Sequence, residues 1–309
     1  AALPLSFMSS IMFSPKLNLI LTPRSEKDIY APDLNEATLN ILSLIFEFKL
    51  ATAIHIARFL GQNEVNRYLY TKLRRLWQGG LLESLQLYQG TRLGMPLYYM
   101  LSKEGLNIIA KHHHYDKTYL KTYPSPATLI SSGLFHHEAE IVELASLESL
   151  ASSDKAKIAF VGEVGSLIRE ARSDKRIEVL TPDYTAFYTS SDVTETIYTE
   201  FERSNKSIGA MMRKIERYDR NLEPNEREHT TLRLIFDNER MERSFWLHLL
   251  LEKSHLARNL RIVTSNLALM QTTEQFLEAV YATENSIALK RDGRVMAEVD
   301  KRERLFRVF

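Results

Sequence analysis

Apolar residues Leu39, Ile41, Leu42, Leu44, Ile45 and Phe48 recur at the spacing of one helix face, and Asn35 stands before them as an N-cap. Residues 52–60 read as a short second helix stopped by Gly61. Residues 64–78 read as a third, with Val65, Tyr68, Leu69, Leu73 and Leu76 on its buried face and Gly79-Gly80 at its end. Two strand-like runs follow, 81–88 and 96–101, around a tip at 89–95, and 102–111 predicts another helix. Periodicity then fades. Residues 115–135 carry Pro124, Ser125, Pro126, Ser131 and Ser132 and read as a linker.

Beyond it, helical and strand patterns alternate. A helix is expected at 136–151, strands at 157–161, 177–180, 184–188 and 195–201, and a long helix at 206–221. A strand at 231–237, a helix at 239–257, a strand at 261–265 and a helix at 268–282 complete the pattern. Residues 287–309 suit a terminal hairpin around Asp292-Gly293. This order predicts an N-terminal extension at 1–30, a first domain at 31–114, a linker at 115–133 and a mixed-sheet α/β domain at 134–309. A length of 309 residues, 44% of them hydrophobic and 26% charged, agrees with two globular domains.

Composition narrows the chemistry. Cys is 0, which excludes a disulfide framework, a Cys-ligated zinc site and a cysteine nucleophile. No stretch reaches the roughly 18 apolar residues of a membrane span, and residues 1–20 lack the charged start of a signal peptide, so a cytoplasmic protein is expected. The net charge of +1 means that any nucleic-acid partner is met by a local patch. One such patch exists.

Three short helices followed by a hairpin is the order of a winged helix-turn-helix. Across 63–92 the cations Arg67, Lys72, Arg74, Arg75 and Arg92 face only Glu64 and Glu83. In a DNA-binding reading, Asn63, Asn66, Arg67, Thr71, Lys72, Arg74 and Arg75 reach bases or phosphates from the third helix. Arg92 rides the wing into the backbone or minor groove. The alternative is a protein-binding winged helix with a solvated charged face.

The second domain carries no P-loop, no G-x-G-x-x-G and no G-x-S-x-G. His137-Glu138 is not followed by the second histidine of a zinc protease. His112-His113-His114 is a weak metal candidate, because adjacent helical residues diverge. The positive signal is Pro182-Asp183 on one strand and Glu200-Phe201-Glu202 at the end of the next. Residues i and i+2 of a strand share a face, so Glu200 and Glu202 point together and Asp183 can meet them. Converging carboxylates suit a hard divalent cation, Mg²⁺ or Mn²⁺, which polarises a phosphodiester and activates water. Lys206, Arg203 or Arg213 is the basic partner such acids need, and ordinary strand-end ion pairs are the competing explanation. Glu163 and Glu170 are further acids that surface helix positions explain as well.

The layout of helix, three strands, helix and strand resembles the PD-(D/E)xK nuclease core, with Glu202 where the general pattern has lysine and Lys206 as its replacement. A wider resemblance is to the plasmid replication-relaxation family, which includes MobC-type relaxases. It is carried by Leu60-Gly61-Gln62, Leu73-Arg74-Arg75-Leu76, Gly80-Leu81-Leu82 and the run from Tyr98 to Gly105. His137, Ile141, Glu143 and Leu144 continue it, then Pro182-Asp183, Glu200-Phe201-Glu202 and the run from Lys214 to Tyr218. The resemblance implies a restriction-endonuclease-like second domain and a bacterial protein that nicks double-stranded DNA at a plasmid or mobile-element origin. Other mobilisation or replication proteins are implied partners. It makes Asp183 and Glu200 metal ligands, with Glu202 assisting, and Glu143 and His137 candidate site residues. The alternative is a DNA-binding replication or regulatory factor whose nuclease fold is inactive.

Three further signals are open to blander explanations. Phe245, Trp246, Leu249 and Leu250 form a stripe that either recruits a partner or packs on the sheet, the second being favoured. His255, Arg258 and Tyr281 faintly echo tyrosine recombinases. The C-terminal run from Lys290 to Arg307 holds seven cations against four acids, a strip that either tracks DNA or is a charged edge.

Overall fold

Polar caps set the helix boundaries of the first half of the chain. In the computed structural model Asn35 accepts the Thr38 N–H at 3.0 Å, and α1 runs Glu36–Phe48. Residues 18–21, 32–88, 96–116, 119–152, 157–171, 180–189, 193–203, 207–270, 280–283, 285, 287–292, 294–299 and 303–304 are described by the structure. They fall into two units, Ala1–Leu150 and Ala151–Phe309. The fold is mixed α+β in both, with one antiparallel and one mixed sheet as the larger sheets.

In the first unit β1 (Asn18–Leu21), β2 (Ala51–Thr52), β3 (Leu82–Tyr88) and β4 (Leu97–Leu101) form an antiparallel sheet in the order β1-β3-β4-β2. Thr52 and His55 cap α2 (Ala53–Phe59) reciprocally: the Thr52 hydroxyl accepts the His55 N–H, and His55 Nδ1 accepts the Thr52 N–H. The third helix, α3 (Arg67–Gln78), begins three residues later than its apolar pattern predicts. Asn66 takes the cap by accepting the Leu69 N–H at 2.8 Å, which leaves Val65 outside the helix. Gly61 and Gly80 adopt φ of 72° and 80°, the left-handed conformation that turns the chain after α2 and α3. Ser102 caps α4 (Lys103–His113) by accepting the Gly105 N–H at 3.1 Å.

The stretch expected to be a linker is folded. Tyr119–Thr122 is a 3₁₀ turn, and α5 (Pro126–Ser132) starts on a Ser125 cap with proline at its first position. Tyr123 between them is buried, and its hydroxyl donates to the Lys49 carbonyl at 2.7 Å. Turn punctuation and a helix start share the same residues here, so composition alone mistook one for the other. The long α6 (Phe135–Ser152) follows, and the unit boundary falls within it.

In the second unit β5 (Lys157–Gly162), β6 (Tyr184–Thr189) and β7 (Thr194–Glu202) form an antiparallel meander. β8 (Thr230–Phe236) and β9 (Arg261–Asn266) then add in parallel, giving the order β5-β6-β7-β8-β9. α7 (Glu163–Ala171) follows β5 directly; it is not among the elements of the expected alternation, but agrees with Glu163 and Glu170 as helix positions. Of the strand expected at 177–180, residues 177–179 lie outside the described residues, and Leu180 is buried without being in a strand. The crossover from β7 to β8 uses α8 (Ile208–Asn221), capped by Ser207, and the short α9 (Pro224–Arg227). The helix expected at 239–257 breaks at Lys253 into α10 (Glu239–Glu252) and α11 (Ser254–Asn259).

Phe245, Trp246 and Leu249 of α10 pack with Met211, Ile215 and Tyr218 of α8 over Leu232, Leu234 and Phe236 of β8. The apolar stripe of α10 is therefore core. The helix expected at 268–282 is corrected. Leu267–Leu269 is a 3₁₀ turn, and Val280–Tyr281 is the strand β10, since residue 282 bridges back to Thr264 in β9. Residues 271–279 lie outside the described residues. β11 (Ile287–Asp292) and β12 (Arg294–Val299) form the expected hairpin, with Asp292 opposite Arg294, while β10 pairs with β13 (Glu303–Arg304).

Candidate functional site

Glu200 and Glu202 stand two residues apart on β7 and are both buried, Glu202 completely. Alternation puts them on one face of the sheet. Asp183, just before β6, accepts the Phe201 N–H at 2.6 Å and is thereby pinned to the backbone between the two glutamates. From α8, Lys214 Nζ donates to Glu200 Oε2 at 2.7 Å and to Glu202 Oε1 at 2.8 Å. One turn later the Tyr218 hydroxyl donates to Glu200 Oε1 at 2.7 Å. Both Glu200 oxygens thus hold a partner, and the ring of Tyr218 lies 5.4 Å from that of Tyr198.

Lys214 and Tyr218 are legible from helix periodicity rather than from the strand-end acids. Met211, Lys214, Ile215 and Tyr218 fall at i, i+3, i+4 and i+7, one helix face. That face meets the sheet, so a lysine within it has its ammonium carried to buried carboxylates. Arg213, one residue away, is on the exposed side. Lys206, the expected replacement lysine, lies outside the described residues.

Three carboxylates surround this one ammonium, and the imbalance decides the protonation. Burial pushes the Glu200 carboxyl from the ordinary 4.5 up to about 7; Lys214 pulls it down, and Asp183 and Glu202 push it up. At Lys214 burial acts downward, but Glu200, Glu202 and Asp183 together outweigh it and hold the ammonium protonated well above its ordinary range. Burial, then Glu200, drives the Tyr218 phenol far up as well, so it acts only as a hydrogen-bond donor at neutral pH. Among the described residues no three His, Asp or Glu side chains form a cluster that could hold a metal ion.

A second polar surface is α3 in the first unit. Arg67, Thr71, Arg74 and Arg75 are exposed along it, opposite the buried Leu69, Leu73 and Leu76. Asn63 is exposed in the turn before the helix, and Asn66 spends its carbonyl on the cap while its amide donates to Gln62 Oε1 at 3.0 Å. Lys72 is drawn sideways: its ammonium donates to Asn35 Oδ1 at 3.1 Å and lies 5.8 Å from the centre of the Tyr68 ring. Tyr68, expected on the buried face, is 67% exposed. Arg92 and the rest of the hairpin tip lie outside the described residues.

Residues 42–234 match the replication-relaxation family, a span that reaches from α1 through β8 and holds both surfaces. The chain belongs to the replication-relaxation family. No curated protein and no solved structure matches it.

The remaining site candidates of this replication-relaxation protein lie elsewhere. Glu143 of α6 is engaged within the first unit. Its Oε2 is 2.7 Å from His55 Nε2 and its Oε1 accepts from Arg58 Nη1 at 2.7 Å. Burial acts upward on this carboxyl, but the hydrogen bond and charge of His55 and the charge of Arg58 together bring it down to about 2. It is an ion-paired tie between α2 and α6. His137 is half-buried in the first turn of α6. Glu163 opens α7, and the side chain of Glu170 lies outside the described residues. His113 is 2.8 Å from the Ser43 hydroxyl and stacks on Tyr115, a packing role. His255 and Arg258 are exposed on α11, whereas Tyr281 is buried with its hydroxyl 3.5 Å from Arg233. Among the described residues no helix is long and apolar enough to cross a membrane.

Proposed function

We propose that this replication-relaxation protein is a MobC-type relaxase, a strand-nicking endonuclease that acts on double-stranded DNA at a plasmid or mobile-element origin. The observation that carries the reading is Lys214 of α8 paired with Glu200 and Glu202 of β7, with Asp183, just before β6, held on the Phe201 N–H between the two glutamates. Apart from α7 between β5 and β6 and the short α9 before β8, the order from α6 to β8 is helix, three antiparallel strands, helix and parallel strand, the element order of a PD-(D/E)xK core. Lys214 takes the place of the lysine that the E-x-E motif lacks, reaching the same carboxylates from the helix.

The donors are all carboxylate oxygen, the chemistry a hard divalent cation requires, but they are turned to Lys214, Tyr218 and the Phe201 N–H and do not form a cluster that could hold an ion. Released from those partners, Asp183, Glu200 and Glu202 would be the residues to hold Mg²⁺ or Mn²⁺, which would supply polarisation of the phosphodiester and a lowered pKa for water. The chain's own residues do the positioning. Tyr218 fixes one oxygen of Glu200 and Lys214 the other, while the Phe201 N–H fixes Asp183. In hydrolysis a water oxygen bonds to phosphorus as the P–O bond to the leaving nucleoside oxygen breaks, and that oxygen takes up a proton. The Lys214 ammonium stabilises the negative charge that builds on the phosphoryl oxygens. The cations of α3, in a winged helix-turn-helix, supply phosphate contacts that hold the duplex in register.

One observation favours a second reading. Lys214 already pairs both glutamates, which is how a nuclease fold looks when it serves as a DNA-binding platform for replication proteins. Incubation of supercoiled origin plasmid with Mg²⁺ or Mn²⁺ separates the two. Open-circular product that vanishes with EDTA and with Asp183→Ala supports the relaxase. Binding without nicking, unchanged in Asp183→Ala, supports the platform.

A further inference from the structure

We infer that Tyr68 and Tyr70 are part of the DNA-binding face of α3 and contact the duplex through their rings. The inference rests on the reading of α3 as the DNA-facing helix and adds to it a second kind of contact. Tyr68 is 67% exposed and Tyr70 56% exposed, whereas Leu69 between them is buried. At about 100° per residue, Arg67, Thr71 and Arg74 run down the middle of the exposed arc. Tyr68 and Tyr70 fall on its two margins. The result is a row of cations bracketed by two phenol rings.

The charge and chemistry of the face select the occupant. α3 reads RYLYTKLRRLWQ and holds no acidic residue, so the surface is cationic along its whole length. Its exposed large hydrophobic residues are the two tyrosines. Duplex DNA offers what both parts require: phosphates for the guanidinium groups, and sugar edges and thymine methyl groups for flat rings. Tyr68 is held at its margin by the Lys72 ammonium, 5.8 Å from the ring centre, which is itself anchored to Asn35. Lys72 thus ties the Tyr68 ring to the start of α1. A protein partner would be expected to bury the rings against an apolar surface and leave the arginine row facing acids.

The two kinds of contact differ in salt dependence. An arginine on a phosphate releases counterions, and each such contact steepens the fall of affinity with salt by about 0.9 in the log–log slope. A tyrosine ring releases none. The test is binding of the full chain to a labelled duplex selected by the wild-type protein from a random pool, across a salt series. Tyr68→Ala and Tyr70→Ala are each expected to weaken binding about tenfold with the slope unchanged. Tyr68→Phe and Tyr70→Phe should stay within a few-fold of wild type, and Arg74→Ala should weaken binding and flatten the slope by about one unit. Circular dichroism and thermal melting confirm that the exposed-site variants are folded.

Alanine variants that bind like wild type at every salt concentration would overturn the inference and leave the DNA-binding reading intact. Phenylalanine variants as weak as the alanine ones would overturn the ring contact in favour of hydroxyl–phosphate bonds. Alanine variants that bind DNA normally but lose self-association would assign the tyrosines to a second copy of the chain and overturn it too. A wild-type chain that selects no duplex would remove the parent reading and the inference together.

Discussion

Lys214 is the residue on which the second unit turns. It neutralises two buried carboxylates at once, at 2.7 and 2.8 Å. Removing one partner of a buried ion pair costs about 3–5 kcal/mol because it strands the other charge. Lys214→Met is expected to lose roughly 3 kcal/mol near pH 8, read from urea denaturation. The loss should shrink below pH 6, where Glu200 takes up a proton. Glu200 also gives the unmutated protein a defined slope. Its carboxyl titrates at about 7 in the folded chain against an ordinary 4.5, so between those values the folded state binds the extra proton. Stability through this group is highest below about pH 4.5, falls as pH rises, and the full penalty, about 3 kcal/mol, is present above pH 7. Glu143 behaves in the opposite way. Its carboxyl lies at about 2, below the ordinary 4.5. Its contribution is complete above about pH 4.5 and is lost as pH falls toward 2, and Glu143→Gln should flatten that acid limb.

At the scale of elements, helix caps and turn glycines make testable commitments of their own. Asn66→Ala removes the α3 cap and should cost about 1 kcal/mol, seen as a lower urea midpoint. Gly105 lies in the first turn of α4, where an added Cβ would meet the Leu81 carbonyl oxygen at 2.3 Å. Backbone cannot move aside as a flexible side chain can, so Gly105→Ala should destabilise the first unit by about 1–3 kcal/mol. A midpoint equal to wild type would mean that α4 and β3 separate without cost.

The same scale explains what a reader of the sequence alone sees and misses. The α1, α2 and α4 starts, the β3–β4 hairpin and the β11–β12 hairpin follow from caps, periodicity and turn residues close together in sequence. Tyr68 was misplaced because a tyrosine beside Leu69 reads as core until Asn66 sets where the helix begins. α7 is absent from the expected alternation because it follows β5 directly at Gly162 and contains Gly165, although Glu163 and Glu170 read as surface helix positions. The acids of the site were legible because strand alternation is local. Lys214 was not paired with them because only the α8 crossover brings a residue 12 positions from Glu202 onto its carboxylate. Glu143 read as a site acid because nothing local reveals that His55 and Arg58, more than 80 positions earlier, claim both its oxygens.

Across the whole molecule, the proposed function joins the two polar surfaces: α3 would hold the duplex and the carboxylates around Lys214 would serve the cleavage of one strand. If a divalent cation binds these carboxylates, it must displace the proton that Glu200 carries near neutrality. Titration of Mn²⁺ at pH 6.5 in buffers of different ionisation enthalpy should therefore show proton release, absent in Glu200→Gln. Equal enthalpies in all buffers would place the ion elsewhere.

The most direct measurement compares two lysines. Wild type, Lys214→Ala and Lys206→Ala are incubated with supercoiled origin plasmid and Mg²⁺, and open-circular product is followed under single turnover. Nicking is expected from wild type and Lys206→Ala, and its loss in Lys214→Ala while that variant still binds the duplex. Nicking by Lys214→Ala at the wild-type rate, or loss confined to Lys206→Ala, would contradict the proposed role of Lys214.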